Sequence, residues 1–174
     1  MKKFLSTFFL ASMMLSAYAG LGLTFVTVDE NEEDIVTTIT KDTTFIVTNY
    51  EEDWDGNPEM SAKGQVSSTR DKITVTIERS AEGLNDQFCL GACLQGNGEK
   101  TQVEELILGP VNIWFTHFYP TEPSETTIAY TFDDGVNPAI TLTIKYSYLM
   151  TAVEDVVAPQ YNGKIYNLLG QEMP

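Results

Sequence analysis

Two stretches of the chain alternate apolar and polar residues with a period of two, and this alternation constrains the fold more than any other feature. In residues 72–79, Ile73, Val75 and Ile77 would share one side of an extended chain. Residues 140–148 repeat the pattern. Because successive side chains of a β-strand point to opposite faces, such a pattern is typical of a strand with one face buried and the other in water.

Further short runs rich in Val, Ile, Thr and Phe recur along the chain, and Gly, Pro, Asn and Asp separate them. No window shows sustained helical periodicity with caps. We therefore predict an all-β domain of about eight or nine strands, an immunoglobulin-like two-sheet β-sandwich, with a β-barrel as the alternative. The nine predicted strands are residues 21–28, 35–40, 43–50, 61–68, 72–79, 103–108, 111–119, 127–132 and 140–148, and residues 87–89 form the end of a further strand that enters the cysteine loop.

Residues 1–19 have the three parts of a secretory signal peptide. Two lysines form a positive start, residues 4–15 are mainly apolar, and Ala17 and Ala19 form a small-x-small cleavage site. The apolar run is too short to cross a hydrocarbon layer of about 30 Å. We therefore expect cleavage before Gly20, no transmembrane segment, and export through the periplasm to the medium or the outer cell surface.

The charge is strongly acidic. The 174 residues include 25 Asp and Glu against 10 Lys and Arg, which gives a net charge of −15. Such a surface repels phosphate groups, so nucleic acids and anionic membranes are disfavoured as partners.

We assign residues 20–150 to a single β-sandwich domain, because this length is that of one ordinary domain.

Cys89 and Cys93 are the two cysteines. An even number in an exported chain favours a disulfide. Along an extended strand their Cα atoms would lie about 13 Å apart, whereas a disulfide requires less than about 7 Å. The segment must therefore turn, and Gly91 can supply the backbone conformation. We predict a local disulfide, with a redox pair or half of a metal site as the alternatives.

The C-terminal residues 162–173 resemble the opening of the C-terminal sorting domain carried by cargo of the type IX (Por) secretion system of Bacteroidetes. The likeness lies in a short strand followed by a Leu-Gly-Gln turn, and residues 151–156 are similar to the entry of such a domain. The resemblance implies recognition by the type IX secretion machinery, then removal of the tail, and then release of the body or its attachment to surface lipopolysaccharide. The implied sorting residues are Ile165, Tyr166, Asn167, Leu168, Leu169, Gly170 and Gln171.

A complete sorting domain continues past this turn to a glycine-tyrosine strand, whereas the sequence stops at Pro174. We therefore expect residues 151–174 to be the start of a sorting domain that is either truncated or vestigial. Because a lone two-stranded unit is marginal in water, we expect this segment to be mobile or to pack opportunistically. The alternative is an ordinary last strand of the sandwich.

Three internal segments, residues 87–93, 117–120 and 127–138, also resemble a recurring set of small secreted Bacteroidetes proteins. Those proteins carry a similar Cys loop, then an H-Y-x-P-like segment, then the sorting tail. The set has no assigned enzymatic activity, so the resemblance implies location and fold rather than chemistry.

Asp53, Asp55 and Asn57 surround Gly56 in the manner of a calcium loop, because hard cations prefer several converging oxygens. The further ligands and the distal Glu of an EF-hand are missing. An Asp-Gly hairpin turn accounts for the same residues. We favour the turn and keep calcium as the alternative, with no other metal or cofactor expected.

No catalytic set is recognisable. His117 is the only histidine, and neither a nucleophile motif nor an H-E-x-x-H metal motif is present. We therefore predict no catalytic residues and a structural His117.

Aromatic residues offer a different kind of site. Trp54 lies in an acidic turn, and we predict that its ring is exposed and serves as the ligand contact. A wider sugar-binding platform is one reading of the remaining aromatic residues, and burial in the core is the other. The residues concerned are Trp114, Phe118, Tyr119 and Tyr130.

Three functions follow from these observations. The first is a non-catalytic secreted or surface-displayed β-sandwich, exported as type IX cargo, that serves adhesion, envelope organisation or partner binding. The second is a glycan- or peptide-binding module. The third is a hydrolase with an unrecognised carboxylate pair, which we rank last.

Overall fold

The computed structural model describes residues 20–28, 34–96 and 98–149, and this part of the chain folds into twelve β-strands. The strands are β1 (Gly22–Val28), β2 (Asp34–Ile39), β3 (Thr43–Val47), β4 (Glu51–Glu52), β5 (Pro58–Ser67), β6 (Lys72–Arg79), β7 (Asp86–Leu90), β8 (Ala92–Gln95), β9 (Thr101–Ile107), β10 (Ile113–Phe118), β11 (Ser124–Asp133) and β12 (Ile140–Tyr148).

The strands form two sheets. The first sheet has the order β2-β1-β5-β10-β7-β8, and β4 pairs with the first two residues of β5, beyond the part of β5 that pairs with β1. The second sheet has the order β3-β12-β11-β6-β9. Its pairs are antiparallel except β3 with β12, which run in the same direction. The chain crosses between the sheets at several loops, so each sheet is built from distant segments.

One face of each sheet is buried against the other. In β6, Ile73, Val75 and Ile77 are at most 1% exposed, and β12 buries alternate residues in the same way. The predicted all-β two-sheet sandwich is therefore confirmed. The alternative of a closed barrel is wrong, because in the described residues each sheet keeps two edge strands, β2 and β8 in one and β3 and β9 in the other.

The predicted strand count was too low. β6 and β12 have the predicted bounds, but β4 and β8 were missed. β4 has two residues and β8 has four, so neither is long enough to show alternation. β5 begins at Pro58, three residues before the prediction, and β3 ends at Val47. These ends are set by pairing with neighbouring strands, which local sequence does not specify.

Gly64 makes room for the largest buried side chain. It lies in β5 opposite Trp114 of β10, whose ring is fully buried. A Cβ at this position would collide with the Thr24 carbonyl and with the Trp114 ring. Glycine is therefore required here by close packing, which explains why a residue of low strand propensity stands in the middle of a long strand.

Arg79 and Asp86 form a buried ion pair that joins the sheets. Arg79 ends β6 in the second sheet and Asp86 begins β7 in the first, and both side chains are fully buried. Arg79 Nε donates to Asp86 Oδ1 at 2.6 Å, and Nη2 donates to Oδ2 at 2.9 Å. Its other hydrogen bonds go to the Glu99 carbonyl and the Gln102 side chain. The fork-like pairing satisfies charges that would otherwise be costly to bury.

We expect Arg79→Met to destabilise the domain by about 3–5 kcal/mol, because it leaves the Asp86 carboxylate buried without its partner. The matched control is Lys72→Met, which removes an exposed, solvent-screened ion pair with Glu105 and should leave the free energy of unfolding nearly unchanged. Guanidinium chloride unfolding measures both. Equal losses in the free energy of unfolding for the two variants would show that the buried ion pair contributes no more to stability than the exposed one.

Asp134 fixes the loop between β11 and β12. Its carboxylate accepts hydrogen bonds from the backbone N–H groups of Val136 and Asn137, from the Asn137 side chain, and from the Ser68 hydroxyl at 2.7 Å. Ser68 directly follows β5, so the carboxylate also connects the two sheets. Burial raises the pKa of Asp134, but the hydrogen bonds favour the ionised form more strongly and lower the pKa from 3.8 to about 2.

Because the pKa of Asp134 is lower in the folded state, its stabilising contribution is present above about pH 4 and is lost as the pH falls towards about 2. We expect Asp134→Asn to cost about 1 kcal/mol at neutral pH, since the amide cannot accept all four bonds. The difference from wild type should shrink over that acidic range. Urea unfolding at several pH values measures it, with the exposed Glu122→Gln as control. A difference that stays constant with pH would contradict the role assigned to Asp134.

Candidate functional site

A short hairpin projects the most exposed aromatic side chain of the described residues. The Trp54 hairpin, residues 51–59, consists of β4, a turn at residues 53–57 and the start of β5. In the ladder, Glu51 lies opposite Glu59, and Glu52 lies opposite Pro58. The predicted Asp-Gly turn between adjacent strands is therefore present.

Hydrogen bonds within the turn hold its shape. The Asp53 N–H donates to the Asn57 carbonyl at 2.9 Å, and the Gly56 N–H donates to the Asp53 carbonyl at 3.1 Å. Asp53 Oδ1 accepts the backbone N–H groups of Asp55 and Asn57. The Asn57 backbone, followed by its side chain, holds the pKa of Asp53 below its ordinary value. Gly56 has a φ of +81°, a left-handed conformation that favours glycine. The turn is thus specified by its own residues.

Trp54 sits at the tip of this turn with its indole entirely in solvent. Its relative exposure is 106%, whereas the second tryptophan, Trp114, is 0% exposed. Tryptophan is a large apolar side chain that is usually well buried. A ring that receives no packing from the described residues, on a turn that is well hydrogen-bonded, is available for contact with another molecule.

A polar and aromatic cluster continues from the hairpin onto the outer face of the first sheet. His117 Nδ1 contacts the Glu59 carboxylate, and both side chains are about one-quarter exposed. The His117 ring stacks on Tyr119, with ring centroids 6.2 Å apart. Burial, followed by the negative charges of Glu59 and Asp53, raises the pKa of Tyr119. The Tyr119 hydroxyl therefore lies in the field of two carboxylates of the hairpin.

The other aromatic residues considered for a platform have different positions. Trp114, Phe118 and Tyr130 are at most 3% exposed and belong to the core, so the wider platform is wrong. They pack there with neighbouring rings, as when Phe118 lies 5.2 Å from Tyr146. Only Trp54 and the half-buried Tyr119 remain accessible from that set.

The two cysteines lie on the outer face of the first sheet, away from the turn. Their sulfur atoms are 2.07 Å apart, the distance of a disulfide, and they face each other across β7 and β8. Gly91 between these strands has a φ of +71°, the left-handed conformation that was predicted for the turn between the cysteines. The next strand in the sheet places Phe115 opposite Cys89.

The calcium prediction for Asp53, Asp55 and Asn57 stays a prediction. Asp53 Oδ1 is occupied by N–H donors of the turn. Within the described ranges, no group of three or more His, Cys, Asp or Glu is arranged to hold a metal ion.

The predicted cleavage residues Ala17 and Ala19, the segment 151–174 and the sorting residues within it lie outside the described residues. Gly20, the predicted first residue of the processed chain, is described and lies beside the Asn137 side chain. In residues 20–28, 34–96 and 98–149, no helix has the length and apolar character needed to cross a membrane.

An open groove of about 490 Å³ lies where Gly20 meets the loops before β3 and β12. Two of its polar side chains are engaged within the fold: Asp42 Oδ1 accepts the Thr141 N–H at 2.9 Å, and Asn137 donates to Asp134.

The Glu59–His117 contact was missed by sequence reasoning. The two residues are far apart in the chain, and they meet because β10 pairs with β5 in a register that places His117 opposite Ser61, two residues after Glu59. No local pattern contains that register. The exposed Trp54, in contrast, was signalled by its acidic turn.

Comparison with known proteins finds likenesses among solved structures alone. No protein-family model and no curated protein matches the chain. Among solved structures, the chain is similar to the N-terminal domain of PorA, with a TM-score of 0.46 and 17% sequence identity. The match covers 72% of this chain and 96% of that one. A likeness at this level does not establish function, and the fold assignment rests on the strand topology described above.

Proposed function

We propose that the chain is a non-catalytic, exported β-sandwich that binds a partner through the Trp54 hairpin. The observation that carries this proposal is the complete exposure of the Trp54 indole on a turn fixed by its own hydrogen bonds. Exposed aromatic anchors dominate many binding surfaces, because they bury a large area when a partner arrives. A fixed turn also loses little conformational entropy on binding.

The surroundings of Trp54 favour recognition over chemistry. The only histidine of the chain and its Glu59 partner lie on the outer face of a sheet, where both side chains are partly solvated. Catalytic groups usually act in sites that exclude water and position a substrate. The accessible groups of the hairpin offer aromatic and carboxylate contacts, which serve binding.

Export rests on the sequence. The first 19 residues have the features of a signal peptide, and residues 162–173 resemble a type IX sorting domain. On this proposal the type IX machinery is a partner of the tail, and the sandwich is delivered to the outer surface, where lipopolysaccharide attachment is one fate, or to the medium. Adhesion and envelope organisation are roles that such a delivered binding domain would serve.

We expect Trp54→Ala to reduce partner binding by about tenfold or more, because truncation of a central aromatic anchor usually has this effect. Arrays of glycans and peptides probed with wild type and variant measure it. The control is Val136→Ala, which trims an apolar side chain that is 67% exposed in another turn. Signals that persist unchanged in Trp54→Ala, or fall equally in both variants, would refute the assignment of the hairpin.

Fractionation of a host that expresses the full-length chain tests export. We expect the sandwich outside the cytoplasm, with Gly20 as its first residue by N-terminal sequencing. Replacing Leu168, Gly170 and Gln171 with alanine should leave the processed protein in the periplasm if the tail is read by the secretion machinery. Cytoplasmic protein with an intact leader would contradict the proposal.

A further inference from the structure

We propose that the Trp54 hairpin recognises a cationic peptide segment, with a lysine or arginine side chain seated on the Trp54 indole. This inference rests on the proposed function, because it names the chemistry of the partner for the same surface. It follows from the charge around the ring, from the strand pairing of the hairpin, and from the positions of the basic residues of the sandwich.

The hairpin concentrates negative charge without basic residues. Residues 50–59 contain five carboxylates and neither Lys nor Arg. Three of the five, Glu51, Glu52 and Asp55, are exposed, and among the described residues none of the three forms an ion pair. Their charge is therefore available to a molecule that approaches Trp54.

Within the described residues, no Lys or Arg side chain forms an ion pair with a carboxylate of the hairpin. The described ion pairs of Lys and Arg all lie outside residues 50–59. They are Lys63 with Asp34, Lys72 with Glu105, Arg79 with Asp86, and Lys145 with Glu125. The exposed Trp54 ring therefore lies in a hairpin where Glu51, Glu52 and Asp55 form no ion pair within the described residues.

The pairing within the hairpin adds an unfavourable contact that a cation would relieve. Glu51 and Glu59 lie directly opposite each other in the ladder, and like charges at such positions destabilise a strand pair. His117 contacts Glu59, whereas Glu51 forms no ion pair within the described residues. A cationic side chain placed between the ring and these carboxylates would lower this repulsion.

A guanidinium or ammonium group fits both parts of the surface. It is attracted to the face of an indole by the ring quadrupole and to carboxylates by charge. An anionic ligand would be repelled by the five carboxylates, and a neutral sugar would use the ring but gain nothing from the net charge. The observations therefore favour a basic peptide over a glycan.

Fluorine NMR of protein labelled with 5-fluorotryptophan tests the inference, because the chain has two tryptophans in opposite environments. Trp54 is the reporter and the buried Trp114 is the internal control. The probes are a peptide of alternating arginine and serine, the same peptide with citrulline for arginine, and a neutral chito-oligosaccharide. We expect the arginine peptide to shift the Trp54 signal and to leave the Trp114 signal in place. The citrulline peptide should bind at least about tenfold more weakly than the arginine peptide.

Charge variants separate a local effect from the overall charge. Neutralising the hairpin with Glu51→Gln, Glu52→Gln and Asp55→Asn should weaken arginine-peptide binding about tenfold. The matched control changes the net charge by the same amount at a distant surface, on β6 and β9 and at the residue before β6. It consists of Asp71→Asn, Glu78→Gln and Glu104→Gln. This control should weaken arginine-peptide binding less than about twofold. Trp54→Ala should remove most of the affinity for the arginine peptide, whereas the control triple variant should retain it.

The outcomes distinguish this inference from the function on which it rests. Equal binding of the arginine and citrulline peptides, or equal losses in the two triple variants, would overturn the cationic partner. A Trp54 shift with the oligosaccharide and none with the arginine peptide would also overturn it, while leaving the hairpin as a binding site. If no probe moves the Trp54 signal and the arrays show no Trp54-dependent binding, both proposals fail.

Discussion

The structure depends on the burial of one face of each sheet against the other. Alternate residues of β6, β11 and β12 supply the inner face of one sheet, and the large ring of Trp114 fills the other side above Gly64. Each large apolar side chain that is fully buried contributes about 1.5–3 kcal/mol, so this layer provides most of the stabilisation. Polar residues are thereby directed outward, and charged side chains inside the layer need a partner of opposite charge. Arg79 and Asp86 meet that requirement and fix one sheet relative to the other.

The same constraint explains what lies outside. Once the inner faces are filled, a large aromatic side chain at a loop has two alternatives, to fold back onto the sandwich or to remain in water. The Asp53 turn holds Trp54 in the second arrangement, because its hydrogen bonds fix the backbone that carries the ring. The exposed indole and its carboxylates are therefore a product of local turn chemistry on a rigid scaffold, which is a common way for β-sandwiches to present binding loops.

Much of the fold was predictable, because period-two alternation is a local property. It located β6 and β12 to the residue and led to the correct class of architecture. The two-residue β4 carries no pattern of its own and forms only because β5 lies beside it. The Asp53 turn and the exposed Trp54 could be predicted from composition. The contact of Glu59 with His117 and the pairing of Arg79 with Asp86 could not, because both depend on strand register or on sheet packing between distant segments.

The central claim is that position 54 touches a partner when the protein is in its own environment. The most direct measurement places a photo-crosslinking amino acid at position 54 in the full chain expressed in its native host, with the same group at the exposed position 136 as the comparison. We expect a discrete adduct from position 54 that is absent from position 136 and that an arginine-rich peptide competes away. Adducts of equal yield from both positions, or an adduct from position 136 alone, would contradict it.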